Sequence, residues 1–436
     1  MTLSSALQPR PILLFAYTAL VYGVFRNNGM YDAVGLLFVI LGFSFLVLAA
    51  VWTLQKKKNS LPSPLLACTL VLFLILGATK TPGIYLQSQL YAVLFFYTHI
   101  FLLLLTLLVY ALPTSRWERV RPYVFFLAIL FALIFQLLLP SSSPTPFVDV
   151  FVISQESAAH LLQGRNPYTT QTSDIYAGVA DFGFHHFGYH YPPASLYLLA
   201  IGYFFFGDVR YTYVFALMVT TWILWKIARR SLPASSSELL TLLFLYSPRT
   251  LFVLEQAWTE PLLLLLFALS FFLFSRGYQN AASFAYGYMI SLKQYLLFFL
   301  VHWLILERRL SRLILGLGVL LLTVLPFLIL APKGLWNSAM SPHLHALFRS
   351  DSLSISSLLY RLFDIKIWSL SGIFIGALCT PLTFFLFRKL HPLQGYLFAV
   401  SITTYAMFLF GNLAYANYYF FIGGMMLFLI AFSPAK

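Results

Sequence analysis

The sequence predicts an all-α polytopic membrane protein, and three observations lead there. The chain is 60% hydrophobic and only 9% charged, where a soluble protein carries roughly 25% charged residues. A soluble fold of 436 residues could not hide that much apolar surface, because much of any globule faces water. Apolar stretches of spanning length recur from end to end, and a spanning helix needs ~20 such residues. Basic residues gather in short clusters between these runs, where they report orientation.

The apolar segments fall at 11–25, 33–54, 64–79, 90–112, 123–140, 211–228, 238–250, 259–275, 281–306, 313–331, 368–388, 395–411 and 417–434. The first follows Arg10 as a signal peptide would. No small-residue cleavage pattern follows it at Arg26-Asn27-Asn28-Gly29, so it reads as an uncleaved span. Lys56-Lys57-Lys58, Arg116/Arg119/Arg121, Lys226/Arg229/Arg230, Arg308/Arg309/Arg312 and Arg388-Lys389 should all share the cytoplasmic side. Two segments must bend to allow this. The run Pro192 to Gly207 is short for a span and is expected to lie as a juxtamembrane or re-entrant helix on the outer face. The run 281–306 lies between Arg276 and Arg308 and is interrupted by Ser291-Leu292-Lys293-Gln294. A broken hairpin satisfies both flanks and places Lys293 at depth, where irregular backbone must be buried in protein or line a cavity.

About 13–14 transmembrane segments result, with both termini cytoplasmic and with extracytoplasmic juxtamembrane helices. Residues 1–120 read as an N-terminal accessory transmembrane module. Residues 121–436 read as the catalytic region, with outer loops 141–192 and 332–366. The formal charge of +14 belongs to the topology clusters, and no basic stripe with interleaved surface aromatics points to nucleic acid. Cys68 and Cys379 lie within apolar runs and are expected to pack there. His185, His186, His190, His343 and His345 match no metal-ligand spacing. Neither a metal nor a cofactor is expected.

Carboxylates are scarce. Glu118, Glu238 and Glu307 flank cytoplasmic arginines, and Asp32 stands at a span entrance. Asp149, Glu156, Asp174, Asp181, Asp208, Glu255, Glu260, Asp351 and Asp364 fall on the outer side. Asp149 follows a Ser/Pro hinge and is flanked by Phe147, Val148, Val150 and Phe151. An acid in so apolar a setting is costly unless it is paired or working; a helix N-terminal acid is the plainer alternative. Lys293 is a functional candidate because burying its charge requires an anionic partner, with snorkelling as the alternative. Arg249, in Tyr246-Ser247-Pro248-Arg249, caps a span beside Glu255 and Glu260, and suits a structural ion pair or a ligand contact equally.

These pieces resemble the GT-C superfamily of membrane glycosyltransferases and, in detail, glycosyltransferase family 87, the polyprenyl-phosphate-mannose-dependent type. The resemblance rests on Asp149, Ala158-Ala159 with Gly164-Arg165-Asn166-Pro167-Tyr168, and Tyr191-Pro192-Pro193. It continues through Lys293 with Tyr295, Ser350-Asp351-Ser352-Leu353-Ser354 ahead of Leu359-Tyr360-Arg361-Leu362, and Asn417-Tyr418-Tyr419, covering roughly residues 120 to 434. It implies a GT-C-type helical bundle, Asp149 as catalytic base and juxtamembrane helices over an outward-facing cavity. The family has its catalytic loop after the first span, whereas about five spans precede it here. The family's Asn-Gln-Ser-Leu pattern is replaced by Ser350-Asp351-Ser352-Leu353.

The implied reaction needs few groups. One carboxylate can take the proton of an attacking hydroxyl, and a lipid-phosphate leaving group needs cations more than an acid. The expected assignment is Asp149 as base and Lys293 as principal phosphate partner. Arg249, His190, Tyr191, His345 and Asp351 complete the substrate-binding set. A polyprenyl-phosphate-linked sugar is the implied donor, mannose-like favoured, and a lipid or glycan the acceptor. The setting is the cell (inner) membrane, with the active site on the extracytoplasmic face. Rival readings are a lipid-linked glycan polymerase or ligase, and a transporter or flippase of a lipid-linked sugar. No internal inverted repeat of the kind such transporters often carry is visible.

Overall fold

The structure is a computed structural model and describes residues 8–55, 60–111, 115–176 and 188–434. The cluster Lys56-Lys57-Lys58, Asp181, His185 and His186 lie outside the described residues, as does the Arg116 side chain. The chain is helical throughout, with one isolated β-bridge, Met30 to Ser352, among the described residues.

Helices α1 (Pro9–Arg26) and α2 (Ala33–Leu54) form a tight antiparallel pair. Small residues make it possible: a side chain at Gly23 would meet the Gly35 carbonyl at 2.6 Å. Close backbone approach through glycine is a common way for helices to associate in a bilayer. Then follow α3 (Ser63–Thr79), α4 (Gln89–Thr106) and the long α5 (Ser115–Ser142). After the Ser/Pro hinge comes α6 (Asp149–Leu162), amphipathic and capped by Gly164 in the left-handed region at φ 72°. Helix α7 (Pro193–Phe206) has 14 residues, which is about 21 Å of helix and short of the ~30 Å hydrocarbon core. It carries exposed Ile201, Phe204, Phe205 and Phe206, as an interfacial helix would.

Among the described residues, five helices are long and apolar enough to cross a membrane: Ala33–Leu54, Gln89–Tyr110, Trp117–Ser142, Arg210–Ala228 and Leu310–Leu330. Seven shorter apolar helices accompany them among the described residues. Hydropathy alone does not distinguish helices that meet lipid from helices wrapped by protein. α8 (Arg210–Ala228), α9 (Ala234–Leu245), α11 (Glu260–Ser275), α19 (Pro392–Leu409) and α20 (Ala416–Ala431) form the centre. There Phe267 packs on Tyr396, Phe421 and Phe428. A helix that is hydrophobic all round is buried on every side or lies in a membrane, and here both kinds occur. Cys68 is exposed and Cys379 partly so, which corrects the expectation that they are packed inside.

The interruption expected at Ser291–Gln294 is present. α12 (Gln279–Ile290) ends, Lys293 is extended at φ −147° and ψ 145°, and a 3-10 turn leads into α13 (Phe299–Leu306). The two halves fold back on each other. Tyr286 donates its hydroxyl to the Phe299 carbonyl at 2.8 Å, and its ring lies 4.6 Å from that of Trp303.

The first two helices belong to the same core as the rest. Tyr17 bonds to the Leu243 carbonyl and Tyr405 to that of Val39. The α1–α2 turn joins segment 332–366 through Tyr31 N–H on the Asp351 carbonyl at 2.8 Å, and Arg361 stacks on Tyr31. α14 (Leu310–Leu330), α17 (Ile355–Phe363) and α18 (Ser371–Phe387) complete the bundle.

Candidate active site

A cleft of about 300 Å³ opens where segments 141–192 and 332–366 meet. One side comes from α6, the loop before α7 and segment 332–366: Asp149, Tyr176, His190, Tyr191, His343 and Arg349. The start of α20 adds Tyr415, Asn417 and Tyr418. The remainder is lined by Asn28, Met30, Ile84, Tyr85, Phe252, Gln256 and Trp258. Segments expected to be accessory therefore supply part of the wall.

Asp149 is the first residue of α6, and its Oδ1 accepts the Val150 N–H at 2.8 Å. It is thus a helix N-terminal acid, where the dipole favours negative charge, and a cleft residue as well. The half-buried Tyr176 phenol is pushed up to about 12, by desolvation first and then by the Asp149 charge.

Arg349 faces Asp149 electrostatically. It grips Asp351 with Nε and Nη2 at 2.9 and 2.8 Å, and Tyr415 donates its hydroxyl to Asp351 Oδ1 at 3.0 Å. Burial works against the guanidinium charge, but Asp351, Tyr415 and Asp149 hold its pKa above the ordinary arginine value. The Asp351 carboxyl is pushed up by burial and pulled down further by Arg349, and it lies below its usual value. Asn412 fixes the loop backbone, accepting from Arg349 N–H at 2.7 Å and donating to the Leu347 carbonyl at 2.9 Å.

The His343 ring lies against the His190 carbonyl at 3.0 Å. A carbonyl only accepts, so Nε2 carries the proton and Nδ1 is left as an acceptor. Burial lowers the His343 pKa, Lys293 lowers it further, and the His190 carbonyl partly offsets both. A neutral imidazole stands in the cleft wall.

Beneath the cleft, Lys293 Nζ meets Glu260 Oε1 at 2.6 Å, both side chains being at most 4% exposed. Asn417 donates to the same oxygen at 3.0 Å. The ammonium sits 5.1 Å from the ring centroids of Tyr191 and Tyr418 and 6.0 Å from that of Tyr295. The anionic partner that a buried lysine requires is therefore a protein carboxylate.

Of the residues singled out from sequence, Asp149, His190 and Tyr191 come together in the cleft wall. Asp351 stands behind it, holding Arg349. Lys293 lies under it. His345 is exposed and bonded to the Ser341 carbonyl, while His343, two residues earlier, takes the wall position. Arg249 is buried beside Phe252 and donates to the Thr81 carbonyl at 3.2 Å. It is not ion-paired with Glu255, whose carboxylate instead accepts the backbone N–H groups of Ile84 and Tyr85. Sequence reasoning passed over Arg349 and Tyr415. The available signal was a cation in a loop expected to face outward, where the orientation rule makes cations unusual. No group of three His, Cys, Asp or Glu side chains converges among the described residues.

Fold and cleft define a multi-pass, all-helical membrane protein with one acid and one arginine facing each other across an aromatic, His-bearing pocket. No known protein family and no curated protein matches the chain. Two solved structures resemble it, both of ArnT from Cupriavidus metallidurans. The undecaprenyl phosphate-bound form is 16% identical with a TM-score of 0.46, covering 71% of this chain and 59% of that one. The apo form is 15% identical with a TM-score of 0.44, covering 72% and 59%. The match spans less than two thirds of the ArnT chain.

Proposed function

We propose that this chain is a GT-C-type membrane glycosyltransferase. It moves a hexose or pentose, mannose-like favoured, from a polyprenyl-phosphate donor to an acceptor hydroxyl on the extracytoplasmic face of the cell membrane. The observation that carries the reading is Asp149 and Arg349 on one cleft of about 300 Å³. Transfer from a lipid phosphate needs one base and one fixed positive charge, and the pocket offers one of each. Asp149 takes the proton of the acceptor hydroxyl as its oxygen bonds the anomeric carbon. The bond to the phosphate oxygen breaks on the opposite face, its electron pair leaving with the phosphate. A single displacement inverts the anomeric configuration.

Arg349 is the residue assigned to the departing phosphate. Asp351 and Tyr415 hold its guanidinium in place, so it need not reorganise as charge develops. Tyr191, Tyr418 and Trp258 supply aromatic faces for the sugar and lipid, and the neutral His343 offers an acceptor to a sugar hydroxyl. Lys293 positions Tyr191 and Tyr418 through its pair with Glu260.

The test is direct. Purified protein in nanodiscs is given a panel of polyprenyl-phosphate sugars with lipid extract as acceptor, and products are read by mass spectrometry and anomeric NMR coupling. Transfer with inversion that disappears in Asp149→Asn supports the reading. Transfer that survives Asp149→Asn removes Asp149 as the base, and no transfer from any lipid-phosphate sugar removes the function.

A further inference from the structure

The α1–α2 turn, the end of α3 and the start of α10 (Thr250–Glu255) bring together three cations that the proposed chemistry leaves idle. Lys80 Nζ donates to the carbonyls of Phe25 and Arg26, both at 2.8 Å, and sits 4.6 Å from the Phe25 ring centroid. The Arg249 guanidinium lies 5.4 Å from the same ring. Arg26 joins them, its Nε on Asp32 at 3.0 Å. Counter-charge is short, because Asp32 is taken by Arg26 and both Glu255 oxygens by backbone N–H groups. Arg249 is 5% exposed, and its Nε has no acceptor among the described residues. Buried donors are normally satisfied, so an orphan of this kind calls for an explanation. The Lys80 pKa is lowered, by burial first and then by Arg249 and Arg26.

The cluster borders the cleft at each of its three attachment points. Asn28 and Met30 follow Arg26, Ile84 and Tyr85 follow Lys80, and Phe252 flanks Arg249 at 5.7 Å. We propose that Arg26, Lys80 and Arg249 bind a phosphate group carried by the acceptor. Donor phosphate would then be met at Arg349 and acceptor phosphate at these three residues. A phosphate, with nearly two charges and three acceptor oxygens, suits three cations better than a carboxylate does. The inference rests on the glycosyltransferase reading, and it gives the N-terminal helices a part in the reaction as the source of acceptor recognition.

The experiment measures binding by calorimetry on the full chain in phosphatidylcholine nanodiscs. Arg349→Gln is the background, so that the donor end does not contribute. Dihexanoyl phosphatidic acid, a lipid phosphomonoester, should bind. Lys80→Gln or Arg249→Gln should weaken it roughly 10- to 100-fold, the effect of losing a charge-assisted hydrogen bond. Arg249→Lys, which keeps the charge, should lose less and serves if Arg249→Gln fails to fold. Competition by inorganic phosphate assigns a soluble phosphate group to the site, and its failure assigns a lipid phosphate; both support the site. Affinity untouched by these substitutions, or equal binding of dihexanoyl phosphatidylcholine, overturns it. Loss of sugar transfer across the whole panel with this binding intact would remove the proposed function and leave the site standing.

Discussion

Lys293, in the break after α12, and Glu260, at the start of α11, meet at 2.6 Å in the interior beneath the cleft. Glu260 Oε2 has no partner among the described residues, so the carboxylate depends on Lys293 and Asn417. Removing one member of a buried pair leaves an uncompensated charge, at a cost of about 3–5 kcal/mol. Lys293→Ala should therefore lower the unfolding free energy in detergent by an amount of that order. The double variant Lys293→Met with Glu260→Gln should recover most of it, since no lone charge remains. Double-mutant-cycle analysis of thermal or SDS unfolding measures the coupling. Additive losses would show that the two side chains do not act as a pair.

Asp149→Asn keeps size and hydrogen bonding at the head of α6 but removes proton affinity. Turnover should fall ~10²–10⁴-fold, the usual contribution of a general base, while donor binding persists. The matched control is Asp364→Asn, exposed and at a left-handed position with φ 56° that asparagine tolerates. It should change neither rate nor stability. Single-turnover kinetics separate the chemical step from binding.

The Arg349–Asp351 pair sets a pH dependence with a definite sign. The Asp351 pKa is below its ordinary value of 3.8 in the folded protein. Its contribution to stability is therefore fully present above 3.8 and is lost as pH falls through the lower, folded value. The difference in unfolding midpoint between wild type and Asp351→Asn should stay constant from about pH 8 to about pH 5 and close only in stronger acid. A difference that shrinks already near neutral pH would mean that Asp351 is not held by Arg349.

What the sequence made legible follows from what each signal depends on. The break at Ser291–Gln294 was readable because a lysine in a long apolar run between two arginines expected on the cytoplasmic side leaves few backbone solutions. Asp149 was readable because acids are rare in such a chain. Glu260 as the partner of Lys293 was not, since nothing local in either segment specifies the pairing. Arg349 resembled an ordinary loop cation until Asn412 was seen to accept its backbone N–H and Tyr415 to bond its partner Asp351, both from the far end of the chain. His343 and His345 differ only in which way a short turn presents them. Which helices would be short was not legible either: α9, with 12 residues, and α20, with 16, are surrounded by protein and need not match the bilayer's thickness.

The last prediction tests the side of the membrane on which the cleft opens. Every functional assignment assumes that the loops carrying Asp149 and Arg349 face away from the cytoplasm, an orientation drawn from the basic clusters. Three exposed positions report it: Gln163 just past α6, Asn337 in the second outer loop, and Asn280 at the start of α12. Cys68 and Cys379 are first replaced by serine or alanine, because Cys68 is exposed and would label. In intact cells a membrane-impermeant maleimide should modify Gln163→Cys and Asn337→Cys and leave Asn280→Cys untouched until the membrane is opened. Gln163 and Asn337 must behave alike, since Ser338 hydroxyl bonds to the Tyr168 carbonyl at 3.2 Å and ties the two outer loops together. Labelling of Asn280→Cys alone in intact cells would invert the topology and move the donor to the cytoplasmic leaflet. Labelling of Gln163→Cys without Asn337→Cys would break the contact between the two loops and dismantle the cleft.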